Sequence, residues 1–342
     1  TKRDLYKREK EQYNVAEHYC VAFRRKDDLW KGMRIPFGNM NGGYPYTMHG
    51  IEFPTSEHAY IFGLFSNNTS EHIAIQQELL AESSGYSAKR NIRNGNRKQW
   101  RRDWDEFNIE WMLYCVWTKA NQSEEFRNLL LAVPKGAVII EDSSFQKVNK
   151  TFDGAALWGA RNADKRALGK LVRKYVKTHN HQTQREADDT ENRLLWEYCN
   201  VGTYIGNNVM GKILTIVKQC LHDGTQPDID YALLNSKNIY FLGNLIRFDS
   251  TNSEYQLITL KQPTTPKSKP KKASDNINCT DKYAYFFQDT PLSNWWRSTP
   301  SIPYDGHKFT SSEALFMYLK AKGMGDDDIA MALLIAYKQW GE

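Results

Sequence analysis

The stretch from Phe37 to Tyr60, FGNMNGGYPYTMHGIEFPTSEHAY, returns in outline from Leu292 to Tyr318 as LSNWWRSTPSIPYDGHKFTSSEALFMY. Each copy opens on a small residue and an asparagine, Gly38-Asn39 and Ser293-Asn294. A turn glycine follows, Gly50 or Gly306, and then an aromatic, Phe53 or Phe309, two residues ahead of Thr55-Ser56-Glu57 or Ser311-Ser312-Glu313. Asparagine and glutamate stand 18 residues apart in the first copy and 19 in the second. A repeat recurring at so long a distance points to two related domains, because solenoid periods are shorter.

Each piece of the unit has a physical reading. Gly50 and Gly306 sit where a hairpin turn needs positive φ. Thr-Ser-Glu and Ser-Ser-Glu have the composition of a helix N-terminus, with hydroxyls to cap free N–H groups and an acid in the first turn. Glu57 and Glu313 are therefore either capping residues that offset the helix dipole, or carboxylates on a rigid helix start facing a loop asparagine across a sugar or nucleotide pocket. Asn39 has the same two readings, as the closure of a turn or as a pocket residue. His58 reads as a packed helix residue before a base.

Length and composition narrow the class. The 342 residues suffice for two or three domains, and 40% hydrophobic residues with ten tryptophans can build a core. No apolar run reaches the roughly 18 residues of a membrane span, so no membrane partner is expected. The opening TKRDLYKREKEQY is charged and lacks an apolar h-region, which argues against a secretory signal. Five scattered cysteines with no CxxC pair fit reduced thiols in a cytoplasmic setting (host cytoplasm, if the chain is viral) and argue against structural zinc. No metal site and no cofactor is expected. The net charge of +6 tolerates phosphate-bearing ligands without indicating a duplex binder.

Taken in order, residues 1 to about 30 read as a charged lead-in with helical potential, ending in an apolar patch around Val21 and Phe23. Lys89 to Arg102 is a basic run flanked by Trp100 and Trp104, either a solvated face or a phosphate contact. Asp105 to Lys119 has apolar residues at near-helical period and reads as a core helix. Ala137 to Ile140 fits a buried strand. Asp164 to Thr178 is a basic amphipathic helix, and His179 to Glu191 reads as polar and mobile. Gly206-Asn207-Asn208-Val209-Met210-Gly211 opens a further helix; such a glycine-rich turn lets backbone N–H groups approach an anion. It is neither a Walker loop nor a dinucleotide fingerprint. Short β-like runs follow between 228 and 260, and Pro263 to Asn278 is a Lys/Pro-rich linker.

Together these pieces resemble the NADAR family, named for association with NAD and ADP-ribose, which includes the YbiA proteins. The residues that carry the resemblance are Gly38-Asn39-Met40, Phe53 to His58, Trp104 to Lys119, Phe126 to Ala132, Trp158-Gly159 and Gly206 to Gly211. The implied fold is α+β and YbiA-like, mainly helical with a small β-sheet, in tandem domains. On that reading residues 1–225 form a first NADAR-like domain with an insertion at about 162–203. Residues 226–281 form a short β segment and linker, and 282–342 the N-terminal half of a second domain.

The activity implied is hydrolysis of N-glycosidic bonds, on ADP-ribosyl or related ribosyl-phosphate substrates such as ADP-ribose on guanine. The alternatives are a degenerate module that binds NAD or ADP-ribose, and a structural or viral interaction protein that keeps only the scaffold. ADP-ribose, NAD or a related nucleotide, and ADP-ribosylated nucleic acid, are the partners implied. The resemblance gives catalytic roles to Glu57, Asn39 and Trp158, with Trp158 as stacking platform or core aromatic. It gives ligand contacts to Gly38, Ser56, Gly159, Arg161, Gly206, Asn207, Asn208 and Gly211, and second-copy roles to Asn294, Trp295, Glu313 and Lys320. Two departures stand out. Leu64 occupies a position where the family commonly carries lysine, and Ala160-Arg161 follow Trp158-Gly159 where the family often has Asp-Gly or X-Gly.

Overall fold

The computed structural model describes residues 10–31, 33–148, 157–178 and 183–249, together with short stretches between 277 and 330. The architecture is mixed α+β, with helices dominating and sheets of two or three strands. The chain divides into two compact units. One holds Thr1–Tyr13, Glu17–Asn162 and Tyr204–Thr259; the other holds Asn14–Ala16, Ala163–Thr203 and Leu260–Glu342. The segment read as an insertion in the first domain thus falls in the same unit as the second copy of the repeat.

In the first unit the described part of the lead-in is not helical. It holds β1 (Glu11–Asn14), β2 (Cys20–Phe23) and the short hairpin β3 (Leu29–Trp30) to β4 (Met33–Arg34). The partners that fix this conformation lie far along the chain. β2 runs parallel to β7 (Val138–Glu141), from Cys20 opposite Val138 to Phe23 opposite Glu141. β1 joins a sheet of order β1-β9-β8, where β8 is Arg161–Asn162 and β9 is Thr203–Gly206. Local sequence carries little information about strands paired at such distances.

Hairpin β5 (Tyr46–Met48) to β6 (Ile51–Phe53) turns through His49 and Gly50, both at positive φ (49° and 78°). It feeds helix α1 (Ser56–Leu64), capped by Thr55, whose hydroxyl accepts the His58 N–H. Every residue of α1 is buried, so the helix has no polar face. Helix α2 (Ser70–Ala81) follows, and then α3 (Trp104–Gln122), buried from Phe107 to Asn121 and central to this unit. The Trp111 indole lies on Gly63 of α1 and donates to the Ala59 carbonyl oxygen at 3.0 Å. Helix α4 (Glu124–Ala132) packs beside α3.

Residues 226–248 belong to this unit. Phe241 sits against Phe62 (4.8 Å between ring centroids), and Phe248 against Tyr114 (5.2 Å). The buried Gln76 amide fixes the segment, donating to the Phe65 and Tyr240 carbonyl oxygens and accepting from the Leu242 N–H.

In the second unit, α5 (Ala163–Thr178) packs with α6 (Gln184–Tyr198). Residues 184–191 are thus ordered helix, against the expectation of a mobile stretch. Thr183 caps the Glu186 N–H, and Gln184–Asp188 and Arg193–Glu197 pair across single turns, which lets a polar sequence hold a helix. Hairpin β10 (Ile302–Tyr304) to β11 (His307–Phe309) turns at Gly306 (φ 74°) and leads into a helix at Ser312–Gly323. This repeats the β5–β6–α1 pattern. The ring pair Phe53–Phe62 (5.2 Å) has its counterpart in Phe309–Tyr318 (5.3 Å). Tyr198 of α6 joins the core of Phe309, Ala314, Tyr318, Ala321 and Ala330.

Two substitutions test this packing. Gly63→Ala puts a methyl 2.4 Å from the Trp111 indole nitrogen, and urea denaturation should show a loss of roughly 1–3 kcal/mol. Lys119, 1% exposed, lies over the Phe126 ring at 4.0 Å, and burial pushes its ammonium down to about 7. A cationic group held below its unfolded value binds fewer protons when folded. Stability should therefore rise as pH climbs from about 7 through the ordinary lysine range. Lys119→Met should remove that slope and stabilise the fold at pH 7 by roughly 1–3 kcal/mol, read from denaturation at several pH values.

Candidate functional site

The polar cluster begins at the start of α1. The Glu57 N–H donates to the Asn39 carbonyl oxygen at 3.0 Å, which ties the 38–41 loop to the helix. The Glu57 side chain is buried (5% exposed), and its Oε1 has no hydrogen-bond partner. Two more buried polar atoms on the adjoining loop, Asn39 Oδ1 and Asn41 Nδ2, share that condition. The Asn41 amide stands over Gly38, where a Cβ would approach Nδ2 to 3.1 Å. Buried polar atoms without partners cost about 1–3 kcal/mol each, so three on one short loop and helix start mark a place that a polar ligand can complete.

The neighbouring His58 is not such a group. Its Nδ1 meets the Thr55 hydroxyl at 2.7 Å and its Nε2 the Glu82 carbonyl oxygen at 3.0 Å. Burial holds its pKa below the usual histidine range. Ser56 is buried beside the Tyr46 hydroxyl.

Positive charge reaches the cluster from a π-helical turn, Ala88–Arg93, preceded by Gly85. A Cβ at Gly85 would lie 2.8 Å from the Met40 backbone, so only glycine lets this turn approach the 38–41 loop. Arg93 Nη1 stands 3.9 Å from Glu57 Oε1. Its guanidinium lies between the rings of Tyr60 (5.6 Å) and Trp100 (5.2 Å), and the Trp100 indole N–H holds the Arg93 carbonyl oxygen. The basic run is therefore divided. Arg93 stands at the cluster, whereas Arg101 is buried and bound to Asp103, Ser66 and the Lys237 carbonyl oxygen.

Trp158 reaches the same place. Half-buried, it meets Tyr60 edge-on at 5.6 Å. Burial raises the Tyr60 phenol far above its ordinary value, and its hydroxyl accepts from the Trp104 indole. The backbone after Trp158 is docked at two points, the Gly159 carbonyl oxygen on the Asn208 N–H and the Ala160 N–H on the Glu141 carbonyl oxygen. Arg161, on β8 opposite Ile205, directs its guanidinium to the Lys147 carbonyl oxygen.

Gly206 and Asn207 are buried and lead into α7 (Val209–Asp223) through Asn208. Asn208 holds the left-handed conformation (φ 49°, ψ 39°) that asparagine tolerates. It is 0% exposed. Its Oδ1 accepts the Glu141 N–H at 3.0 Å and its Nδ2 donates to the Ile139 carbonyl oxygen at 2.9 Å. A Cβ at Gly211 would fall 2.2 Å from that same oxygen. Both residues are thus spent on clamping α7 to β7, a task other than the ligand contact the sequence suggests.

Glu141, unmarked by any sequence motif, ends β7 half-buried. Burial pushes its carboxyl up to about 7; Glu57 and Asp142 add to the rise and Lys89 opposes it. Asp142 itself is buried and holds the Ser144 N–H and hydroxyl. Leu64 and Ala160 are fully buried, so neither departure position opens to the cluster. Of the second-copy residues, Asn294 and Trp295 lie outside the described residues. Glu313 is the second residue of its helix, and Lys320 is exposed on the same helix. Among the described residues no group of three or more metal-ligating side chains could hold an ion, and no helix is long and apolar enough to cross a membrane.

No family model matches the chain, and no curated protein does. Among solved structures, the NMR structure of the Escherichia coli protein YbiA is similar over 48% of this chain and 91% of its own. Its identity is 24% and its TM-score 0.31. A likeness at that score does not establish a shared fold.

Asn208→Ala leaves the Glu141 N–H and Ile139 carbonyl oxygen unpaired, at about 1–3 kcal/mol per group. Denaturation should show that loss. Hydrogen exchange at the Glu141 amide should accelerate well beyond that at core helix α3, since the clamp opens before the unit does.

Proposed function

We propose that the first unit is an N-glycosidase-like domain acting on ADP-ribosyl or related ribosyl-phosphate N-glycosides, for example ADP-ribose on guanine. The observation that carries the reading is the buried Glu57 carboxylate with an unpartnered oxygen, beside the Asn39 amide oxygen and faced by Arg93. The order of motifs from Gly38 to Gly211 that resembles the NADAR family supports it. Cleaving such a bond builds positive charge on the sugar ring, needs a positioned water, and leaves an anionic base. Glu57 stabilises the charge and takes the proton of the attacking water. The Asn39 and Asn41 amides hold ribose hydroxyls, Trp158 stacks on base or ribose, and Arg93 with Lys89 balances phosphate.

A second reading, a module that binds NAD or ADP-ribose without turnover, is favoured by one observation. The positions of Leu64 and Ala160, where the family resemblance leads one to look for lysine and aspartate, are core.

The two readings part in one assay. The protein is incubated with ADP-ribosylated guanosine and released ADP-ribose is measured, then the assay is repeated with Glu57→Gln. The glycosidase reading expects turnover that falls about 10²–10⁴-fold in the variant. Tight ADP-ribose binding without release would favour the module, and neither binding nor release would leave only a scaffold.

A further inference from the structure

We propose that the basic face of α5 holds the phosphate backbone of a nucleic acid without reading its bases. Binding there is independent of turnover at Glu57 and of the glycosidase reading.

The face is built by helical spacing. Arg166, Lys170, Arg173, Lys174 and Lys177 recur every three or four residues, so they fall within about 100° of arc around the helix. Lys170, Lys174 and Lys177 are exposed, and Arg166 and Arg173 half-buried. Leu168, Gly169, Val172 and Val176 are buried on the other side, and α5 packs with α6. The basic row is costly to the helix, because Arg166–Lys170, Lys170–Lys174 and Arg173–Lys177 are like charges at i,i+4.

Neighbouring α6 shows the self-stabilising arrangement. It sets opposite charges at the same spacing, Arg193 with Glu197 at 2.9 Å and Arg185 with Asp189 at 4.0 Å, and bonds Gln184 to Asp188. Asp188, Asp189 and Glu197 are thus engaged on their own helix. Glu191 crosses to Arg173 of α5 at 3.1 Å. Among the described residues no carboxylate pairs with Arg166, Lys170 or Lys177. The row therefore keeps positive charge that the second unit does not itself neutralise.

Its chemistry selects the partner. From Arg166 to Lys177 the row runs about 16 Å at roughly 1.5 Å per residue. A nucleic-acid strand carries one phosphate per about 3.4 Å of axis, so the row faces about five. An anionic membrane is a poorer match, since a helix that lies on a bilayer inserts its apolar face and that of α5 is already buried. A protein surface is poorer too, because the centre of such an interface is depleted in charged residues.

The test uses the full chain and a short fluorescein-labelled oligodeoxythymidylate, titrated by anisotropy at several salt concentrations. Wild type should bind with a slope of log K on log salt of about −2 to −3.5, each neutralised phosphate of a single strand contributing about 0.7. Arg166→Ala/Lys170→Ala/Lys177→Ala lies off the buried side and should keep its far-UV circular dichroism. It should lose about 10–10²-fold in affinity at 0.1 M salt and flatten the slope by about 2. Lys170→Arg/Lys177→Arg keeps the charge and should bind as wild type does. The linker lysines are the competing source of charge, so Lys267→Ser/Lys269→Ser/Lys271→Ser/Lys272→Ser is measured beside these. Affinity lost in the linker variant but unchanged in the α5 alanine variant would overturn the assignment. So would a wild type that ignores the oligonucleotide, or one whose α5-dependent binding goes to phosphatidylserine vesicles in its place.

Discussion

The site depends on the Asn208 amide more than on any other single contact. β7 has a strand neighbour, β2, on one edge, and its other edge would leave the Ile139 and Glu141 main chain to be satisfied inside the unit. Side chains of α7 meet that need, Asn208 at Ile139 and Glu141 and the Thr215 hydroxyl at the Ile139 N–H. Side-chain hydrogen bonds there stand in for a third strand, because buried N–H and C=O groups require partners. The arrangement works only because Gly211 has no Cβ to collide with the Ile139 carbonyl oxygen. The same asparagine holds Gly159 with its backbone N–H. The end of β7, the loop that carries Trp158, and the start of α7 are therefore positioned by one residue.

Local motifs in the sequence describe the Glu57 side of the polar cluster well. The turn at Gly50, the Thr55 cap and the acid of the first turn are determined by neighbours within a few residues, and the structure holds them as the residue types imply. The hairpin–helix of the second copy follows from the same local chemistry. The core helix around Trp111 and the strand ending at Ile140 were likewise legible from periodicity and β-branched content.

The other parts of the cluster were not legible, for a physical reason in each case. Glu141 stands in no motif and looks like any polar strand end. Its raised pKa comes from burial, and burial is a property of the assembled unit. The π-helical turn has no sequence signature of its own. Arg93 is indistinguishable in sequence from Arg101, which spends its guanidinium on Asp103, Ser66 and the Lys237 carbonyl oxygen. Asn208 and Gly211 stood out as glycine-rich turn residues, but the left-handed backbone of Asn208 and the missing Cβ of Gly211 serve close packing on β7. Residues 184–191 looked mobile because composition ranks polar segments low, whereas capping and i,i+4 pairs lie outside composition.

The placement of charge follows from the packing of α1. A helix buried on every side cannot carry a lysine at Leu64 without enclosing an ammonium among apolar side chains, which costs several kcal/mol unless it is paired. The cation opposite Glu57 must then come from another element, and Arg93 supplies it from the π-helical turn, its guanidinium stacked on Tyr60 and Trp100. That turn reaches the cluster only across Gly85. At 3.9 Å the guanidinium is close enough to balance the Glu57 carboxylate, yet too far to saturate its Oε1. A carboxyl group faced by a guanidinium but underbonded, with loop amides beside it also lacking partners, retains its capacity for an incoming hydroxyl or water. Total stabilities of about 5–15 kcal/mol leave little room for several such groups at 1–3 kcal/mol each, and the proposed ligand site rests on the three that fall beside one loop.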